Sequence, residues 1–334
     1  MKIAVDGGAL CGGENRRFGN YTFSQTVITG LKRCDPNNQY FVYTFCDNPG
    51  APTGKNIKIV HLSPKLGWMK LRVALEELAR PKDIFLGLNQ ALPFYTPAKK
   101  IVFSQGLSFI YHPQLYTRDN QRLKAQLNNY LHHADLVVVS SQKIKQELTD
   151  LFPEYLDKIC VLAFPIPFGF EDTSKSVKKS YFLFMGMDHP VKNVRLLVNI
   201  FLQFSQKARY HDFQLVLCGP FQKYSGKRVI VRPYVGLREK KRLYQQAVAY
   251  FAPSLYESFN FPLLEALSQN CPVVGLKTAV IPELRPFVNL ADTKEFGSYF
   301  ELAAENKLKP PDRAGLLTEF SLKKFITNLT QLYS

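Results

Sequence analysis

Short apolar runs recur along this chain, each followed by a stretch with helical spacing of its hydrophobic positions. Residues 3–5, 40–45, 57–61, 83–86, 100–103 and 136–139 predict strands, and 21–31, 68–80 and 121–134 predict the helices between them. Strands that alternate with helices imply a mainly parallel sheet, because a parallel neighbour is reached only through a crossover. The alternation breaks at residues 163–180, where Phe164-Pro165-Ile166-Pro167-Phe168-Gly169 runs into a polar stretch. A second series then begins, with strands at 181–185, 214–218, 228–232, 249–253 and 272–275 and helices at 193–208, 238–247 and 262–269.

The first strand ends in Asp6-Gly7-Gly8 ahead of a helix, the order of elements that opens a Rossmann-like domain. The expected fold class is therefore α/β, with two Rossmann-like domains facing a central cleft. Residues 1–165 form the first domain, 166–180 a linker, 181–318 the second domain, and 319–334 a closing segment. Gly7, Gly8, Gly12 and Gly13 do not reproduce the G-x-G-x-x-G spacing, which argues against a dehydrogenase and leaves them as turn formers.

Composition narrows the picture. A length of 334 residues suits two cores of roughly 150 residues each. Apolar residues at 46% and 26 Phe supply enough to bury. Forty-three Lys and Arg against 27 Asp and Glu leave a charge of +16, which favours polyanionic partners. The basic residues stand in short groups such as Lys178-Lys179 and Lys240-Lys241-Arg242, without the interleaved aromatics of a nucleic-acid module, so no nucleic acid is expected. Six cysteines lie far apart with no CxxC pair, which predicts neither a zinc site nor a dense disulfide framework and fits a reducing cytosol. The start, MKIAVDGG, leads straight into a strand, and no apolar run reaches the roughly 18 residues of a spanning helix, so neither a signal peptide nor a membrane span is expected. His132-His133 fall at a predicted helix end, and the six histidines show no metal-ligand spacing. Trp68, Leu71, Leu75 and Leu78 share one helical face; packing against the first sheet is expected of them, with contact to an anionic membrane surface as the alternative.

The most informative segment runs from Pro253 through Ser254, Glu257, Ser258, Phe259, Asn260, Phe261, Pro262, Leu263 and Glu265 to Ala266, where a strand turns into a helix. Glu257 belongs at the carboxyl end of the strand, the edge at which open α/β sheets bind ligands, and Glu265 about one turn inside the helix. The amides of Phe259, Asn260 and Phe261 at the helix start suit a diphosphate. Carboxylates on either side accept hydrogen bonds from the paired hydroxyls of a ribose and a hexose. Acidic residues at a solvated helix start are the structural alternative.

This segment resembles the E-x7-E motif of family 4 retaining glycosyltransferases with the B-type fold, and the likeness extends over nearly the whole chain. Arg17-Phe18-Gly19-Asn20-Tyr21 is similar to the family's glycine loop, and Ser140-Ser141 through Leu148 to its segment after the fifth or sixth strand. Phe184-Met185-Gly186 through Lys192-Asn193 resembles the strand and loop that carry its phosphate-binding cations, and Val235 with the helix at 238–244 its base-binding edge. Cys271-Pro272-Val273-Val274 resembles the strand after the motif. The resemblance implies a metal-independent hexosyltransferase without a cofactor, using a nucleotide diphosphate sugar as donor and a glycan or lipid-linked glycan as acceptor. It implies that Glu265 holds the donor ribose, Glu257 the sugar hydroxyls and Lys192 the diphosphate, with Gly19 approaching the donor closely. The first domain would take the acceptor and the second the donor, the helix at 322–332 would cross back onto the first, and the enzyme would be cytoplasmic, peripheral on the inner face of the membrane.

Two positions depart from the family pattern. Met187 stands where an Arg is usual five residues before the lysine, so one of two cations at the leaving diphosphate is missing. Gln105-Gly106 stands where His-Asp is usual, and a glutamine hydrogen-bonds a sugar but shuttles no proton. Arg16, Arg17, Lys223 and Lys227 are candidates to supply the missing charge. A binding subunit that keeps the fold with weak or no turnover is the alternative function, and a basic membrane-surface or nucleic-acid binder the one ranked after it.

Overall fold

The computed structural model describes residues 1–13, 19–47, 49–174 and 176–334. They form two compact units, one of Met1–Phe168 with Phe320–Ser334 and one of Gly169–Glu319.

The first unit is built on seven strands: β1 (Lys2–Asp6), β2 (Gln39–Thr44), β3 (Ile57–His61), β4 (Ile84–Gly87), β5 (Lys99–Ser104), β6 (Leu136–Val139) and β7 (Ile159–Val161). They pair in the order β3-β2-β1-β4-β5-β6-β7, parallel throughout. Helices α1 (Gly19–Cys34), α2 (Val73–Ala79), α3 (Ser108–Tyr111), α4 (Asn120–His133) and α5 (Gln142–Leu151) make the crossovers. Such helices cover both faces of a parallel sheet, which is why β4 is buried along its whole length and reads as a continuous apolar run. The Ser141 side chain caps α5 by accepting the Ile144 amide at 3.3 Å.

The second unit has six strands: β8 (Tyr181–Met185), β9 (Gln214–Cys218), β10 (Val229–Arg232), β11 (Ala249–Ala252), β12 (Val273–Leu276) and β13 (Asn289–Ala291). Their order is β10-β9-β8-β11-β12-β13, again all parallel. Helices α6 (Val194–Phe204), α7 (Leu237–Gln246), α8 (Phe261–Ser268), α9 (Ser298–Ala304) and α10 (Arg313–Glu319) accompany them. Phe182, Phe201, Phe251 and Phe300 form the core under the sheet, with Phe251 stacked on Phe300 at 4.0 Å between ring centres.

The closing helix α11 (Leu322–Gln331) packs on α1 in the first unit. Gly30 permits that approach, since a Cβ there would lie 2.7 Å from Leu322 and 2.8 Å from Ile326. Phe325 reaches the aromatic core of the unit, where Phe23 and Phe164 sit 4.3 Å apart.

The chain passes between the units inside the stretch 166–180, and the residues on either side are held in place: Phe168 donates its amide to Thr26 in the first unit, while the Gln269 side chain holds the Phe170 and Asp172 carbonyls in the second. Other expectations need correction. Cys11 and Cys46 form a disulfide with Cα atoms 5.7 Å apart. They are distant in sequence, but β1 and β2 are parallel neighbours, so the loops leaving their carboxyl ends emerge together. Trp68 is buried as expected, against Phe45, whereas Leu71, Leu75 and Leu78 are exposed. The cause is local: Trp68–Arg72 is a π turn, whose extra residue rotates the following helix, so the inward positions run Trp68, Val73, Glu77. Glu77 is fully buried because it accepts from Tyr43 and from Thr96 (2.7 Å) and pairs with Lys82.

Candidate functional site

The strand order of the second unit reverses at β8, which has β9 on one side and β11 on the other, so the loops leaving β8 and β11 diverge and open a crevice at the carboxyl edge. A backbone bond joins the two loops, Leu255 N to Val191 O at 2.8 Å. Lys192 comes from the first loop and Glu257 from the second.

Lys192 closes a short 3-10 turn, Pro190–Lys192, which is capped by the His189 ring accepting the Val191 amide at 3.2 Å. His189 is held below the ordinary imidazole value by burial first and by the charge of Lys192 second, against the pull of Asp188. The Lys192 Nζ lies 2.8 Å from Glu257 Oε1 and 2.9 Å from Oε2. Ser254 Oγ (2.6 Å) and Asn260 Nδ2 (3.0 Å) also donate to Oε1. Asn260 has a second task, since its Oδ1 accepts the Leu263 amide at 3.1 Å and caps α8. One side chain thereby fixes both the start of the helix and the orientation of the carboxylate. A small cavity beside Glu257 is bounded by Ser254, Asn260, Leu263, Val280, Ile281 and Leu284.

Glu265 lies just over one turn into α8 and is buried. Lys240 Nζ approaches its Oε1 at 2.5 Å and the Tyr244 hydroxyl its Oε2 at 2.8 Å, both from α7, where they are four residues apart and share a face. Tyr250 of β11 lies under both carboxylates; burial first, then the charges of Glu257 and Glu265, raise its phenol well above the usual value. Both glutamates are thus buried and individually held by a lysine, not solvated residues at a helix start.

The same loops place the remaining residues. Ser258 and Phe259 lie in the turn before α8, Phe261 and Pro262 are its first two residues, and the Phe259 and Phe261 rings are 5.3 Å apart. Gly186 follows β8, its amide bonded to Cys218 O at 3.0 Å, and Gly219 (φ +143) keeps that approach open, since a Cβ there would sit 2.2 Å from Gly186 O. Met187 is partly exposed next in the chain, and Asp188 pairs with Lys223 at 2.7 Å. Of the cations proposed to replace the missing arginine, Lys223 is therefore the one shown beside Met187; Arg16 and Arg17 lie outside the described residues. Val235 precedes α7, close in sequence to Lys240 and Tyr244. Gly19 and Gln105 belong to the first unit, at the start of α1 and after β5, and Gln105 Nε2 donates to Leu88 O at 3.0 Å. The sequence reading names Ser254 only as part of the motif segment and Lys240 and Tyr244 only within a basic group and a helix, gives none of them a site role, and does not name His189; the i, i+4 pairing of Lys240 with Tyr244 on a helix near the motif is the signal it offers.

Residues 179–296 match the family model for Glycosyl transferases group 1. The O-antigen chain mannosyltransferase B of Escherichia coli is 25% identical over 229 residues, an alignment that covers 60% of this chain and 58% of the relative. This chain therefore spans little more than half the length of that curated relative. Sucrose-phosphate synthase from Thermosynechococcus elongatus superposes with a TM-score of 0.74 at 15% identity, covering 100% of this chain and 98% of the other. HepE from Anabaena, solved with UDP and glucose, gives 0.72 at 14%, covering 99% of each. Within the second unit residues 179–296 are thus similar to group 1 glycosyltransferases, and the fold is the B-type glycosyltransferase fold.

Proposed function

We propose that this chain is a retaining hexosyltransferase that moves a sugar from a nucleotide diphosphate donor to a hydroxyl of a glycan or lipid-linked glycan, without a metal ion. The observation that carries this reading is the pair of buried, lysine-held carboxylates flanking the start of α8 at the β8/β11 crevice, inside the segment that matches the family model. Glu265 would take the ribose hydroxyls and Glu257 those of the sugar. Of the three N–H donors of Lys192, Glu257 engages two, so a third can meet a diphosphate oxygen as negative charge develops on the leaving group. The first unit, with Gln105 and Gly19, would serve the acceptor side. The glycan acceptor class draws support from the O-antigen relative, and the proposed place of action is the cytoplasm at the inner face of the membrane.

Nucleotide release from UDP- and GDP-sugars in single-turnover mode tests this, with Lys192→Ala as control. Release that Lys192→Ala abolishes is expected, whereas nucleotide binding without release from any donor would favour the second reading, a binding subunit, for which Met187 and Gln105 argue. Activity is also expected to survive EDTA. The Asp188 carboxylate is already paired with Lys223, and among the described residues no cluster of three His, Cys, Asp or Glu side chains gathers. Loss on chelation with recovery in Mg2+ or Mn2+ would overturn the metal-free reading.

Met187→Arg is expected to raise turnover. Because Asp188 offsets the charge of Lys223, an added guanidinium should strengthen its contact as the glycosidic bond breaks. A contact worth about 1.4 kcal/mol more in the transition state gives roughly a tenfold gain. A level or falling rate would show that Lys223 or Lys227 already supplies that charge.

A further inference from the structure

The leucines that the π turn of the first unit rotates outward form part of a larger apolar surface. Leu66 is 90% exposed, Leu71 55%, Leu75 55%, Leu78 64%, Phe94 70% and Tyr95 53%. These are neighbours rather than scattered residues. Leu71, Leu75 and Leu78 follow one another at helical spacing, and the Phe94 amide bonds Lys70 O at 3.1 Å, which brings the loop at 94–95 against the π turn. Single exposed apolar residues are ordinary, but six in one contiguous patch mark a contact surface.

The charges around the patch say what covers it. Lys65 and Arg72 are exposed beside the leucines, and Lys70 lies with its Nζ 5.2 Å from the centre of the Phe94 ring. Lys70 also bonds Asn129 of α4 at 2.9 Å, and Lys158 reaches the carbonyls at the end of that helix, His132 and Ala134, so the positive charge continues there. Burial first, then the charges of His132, Lys70, Lys100 and Lys158, hold the His133 imidazole below its ordinary value, so the lysines carry the positive charge here. The acids in reach are taken: Glu76 pairs with Arg80, Asp135 with Lys100, and Glu77 points inward. Two copies of this chain meeting through the patch about a two-fold axis would set these cations against each other. A surface that is apolar at depth and negative at the rim complements them, and that is the interface of an anionic bilayer. No described helix is long and apolar enough to cross a membrane, so the contact is one of lying on it.

We propose that the π turn and α2 of the first unit, with the loop at Phe94 and Tyr95, dock this chain on an anionic lipid surface, Leu66, Leu71, Leu75, Leu78 and Phe94 entering the headgroup boundary while Lys65, Lys70 and Arg72 meet lipid phosphates. This contact deepens the proposed placement at a membrane face by naming the surface that makes it, and it is independent of the transfer chemistry.

Co-sedimentation of the full chain with phosphatidylcholine vesicles, with and without phosphatidylglycerol, tests the proposal. The wild type is expected to bind the anionic vesicles at low salt and to release as salt rises. The exposed triple variant Leu71→Ser/Leu75→Ser/Leu78→Ser should weaken binding roughly a hundredfold, about fivefold for each leucine. Lys65→Gln/Arg72→Gln should weaken it roughly thirtyfold, about fivefold for each charge. Circular dichroism and nucleotide release in solution should match the wild type in both variants. Wild-type protein that ignores anionic vesicles, or vesicle binding that survives the serine variant, overturns the proposal. So does a dimer, seen by light scattering, that the serine substitutions dissociate, because the second copy would then be the occupant.

Discussion

Glu257→Ala should lower turnover by about 10²–10³-fold while changing nucleotide affinity little. The side chain orients Lys192 through two contacts and is itself fixed by Ser254 and Asn260, so under the proposed reading its removal would unsettle both the sugar hydroxyls and the cation at the leaving diphosphate. Losing one preorganised contact of that kind costs about 2.7–4 kcal/mol in the transition state. Glu257→Gln keeps the volume and one acceptor oxygen but gives up the charge facing Lys192, and a smaller loss, roughly tenfold or about 1.4 kcal/mol, is expected of it. Steady-state kinetics with the donor, alongside melting curves to show that both variants fold, would decide the matter. Turnover unchanged in Glu257→Ala would remove this carboxylate from the mechanism.

The opposite division is expected at Glu265. If this carboxylate accepts both ribose hydroxyls, Glu265→Ala should raise the dissociation constant of the free nucleotide by about 10–100-fold, or about 1.4–2.8 kcal/mol. The variant should also melt earlier, because the fully buried Tyr244 hydroxyl loses its acceptor, at a cost of about 1–3 kcal/mol. Lys240→Met separates the two effects: it leaves the carboxylate in place while releasing Oε1, so the affinity loss should be smaller than in Glu265→Ala. Calorimetric titration with nucleoside diphosphates reads the result directly. Wild-type affinity in Glu265→Ala would mean that the ribose is held elsewhere.

The parts of this fold that could be read from sequence are those whose partners are near in the chain. The strand at Ala249–Ala252 and the helix from Phe261 are visible because an apolar run, a capping asparagine and a proline in the first helical turn follow in order. The edge strands β7 and β13 escape notice because three residues are too few to show a period. Lys240 and Tyr244 read as an ordinary charged helix until α7 is set against α8. At Trp68 the 3.6-residue period itself misleads, since one π turn changes the phase for everything after it. The buried Glu77 compounds the error, for a carboxylate looks like the solvent face until Tyr43, Thr96 and Lys82 are seen around it. Likewise, the Cys11–Cys46 pairing follows from two strands being neighbours, which cysteine spacing does not encode.

The chain leaves the first unit once, at Phe168, and returns once, at Phe320, and the Ile166 amide bonds the Phe320 carbonyl at 2.9 Å. Exit and return are therefore side by side, and the second unit is topologically an insertion into the first. A cassette joined at two adjacent points can be exchanged whole: residues 169–319 from a relative would replace both glutamates, their lysines and α7 together, while the seven-stranded sheet and its closing helix keep their own contacts. Under the proposed division of labour, donor choice is inherited as one block and acceptor choice as another, so new pairings of the two arise by recombination rather than by point substitution.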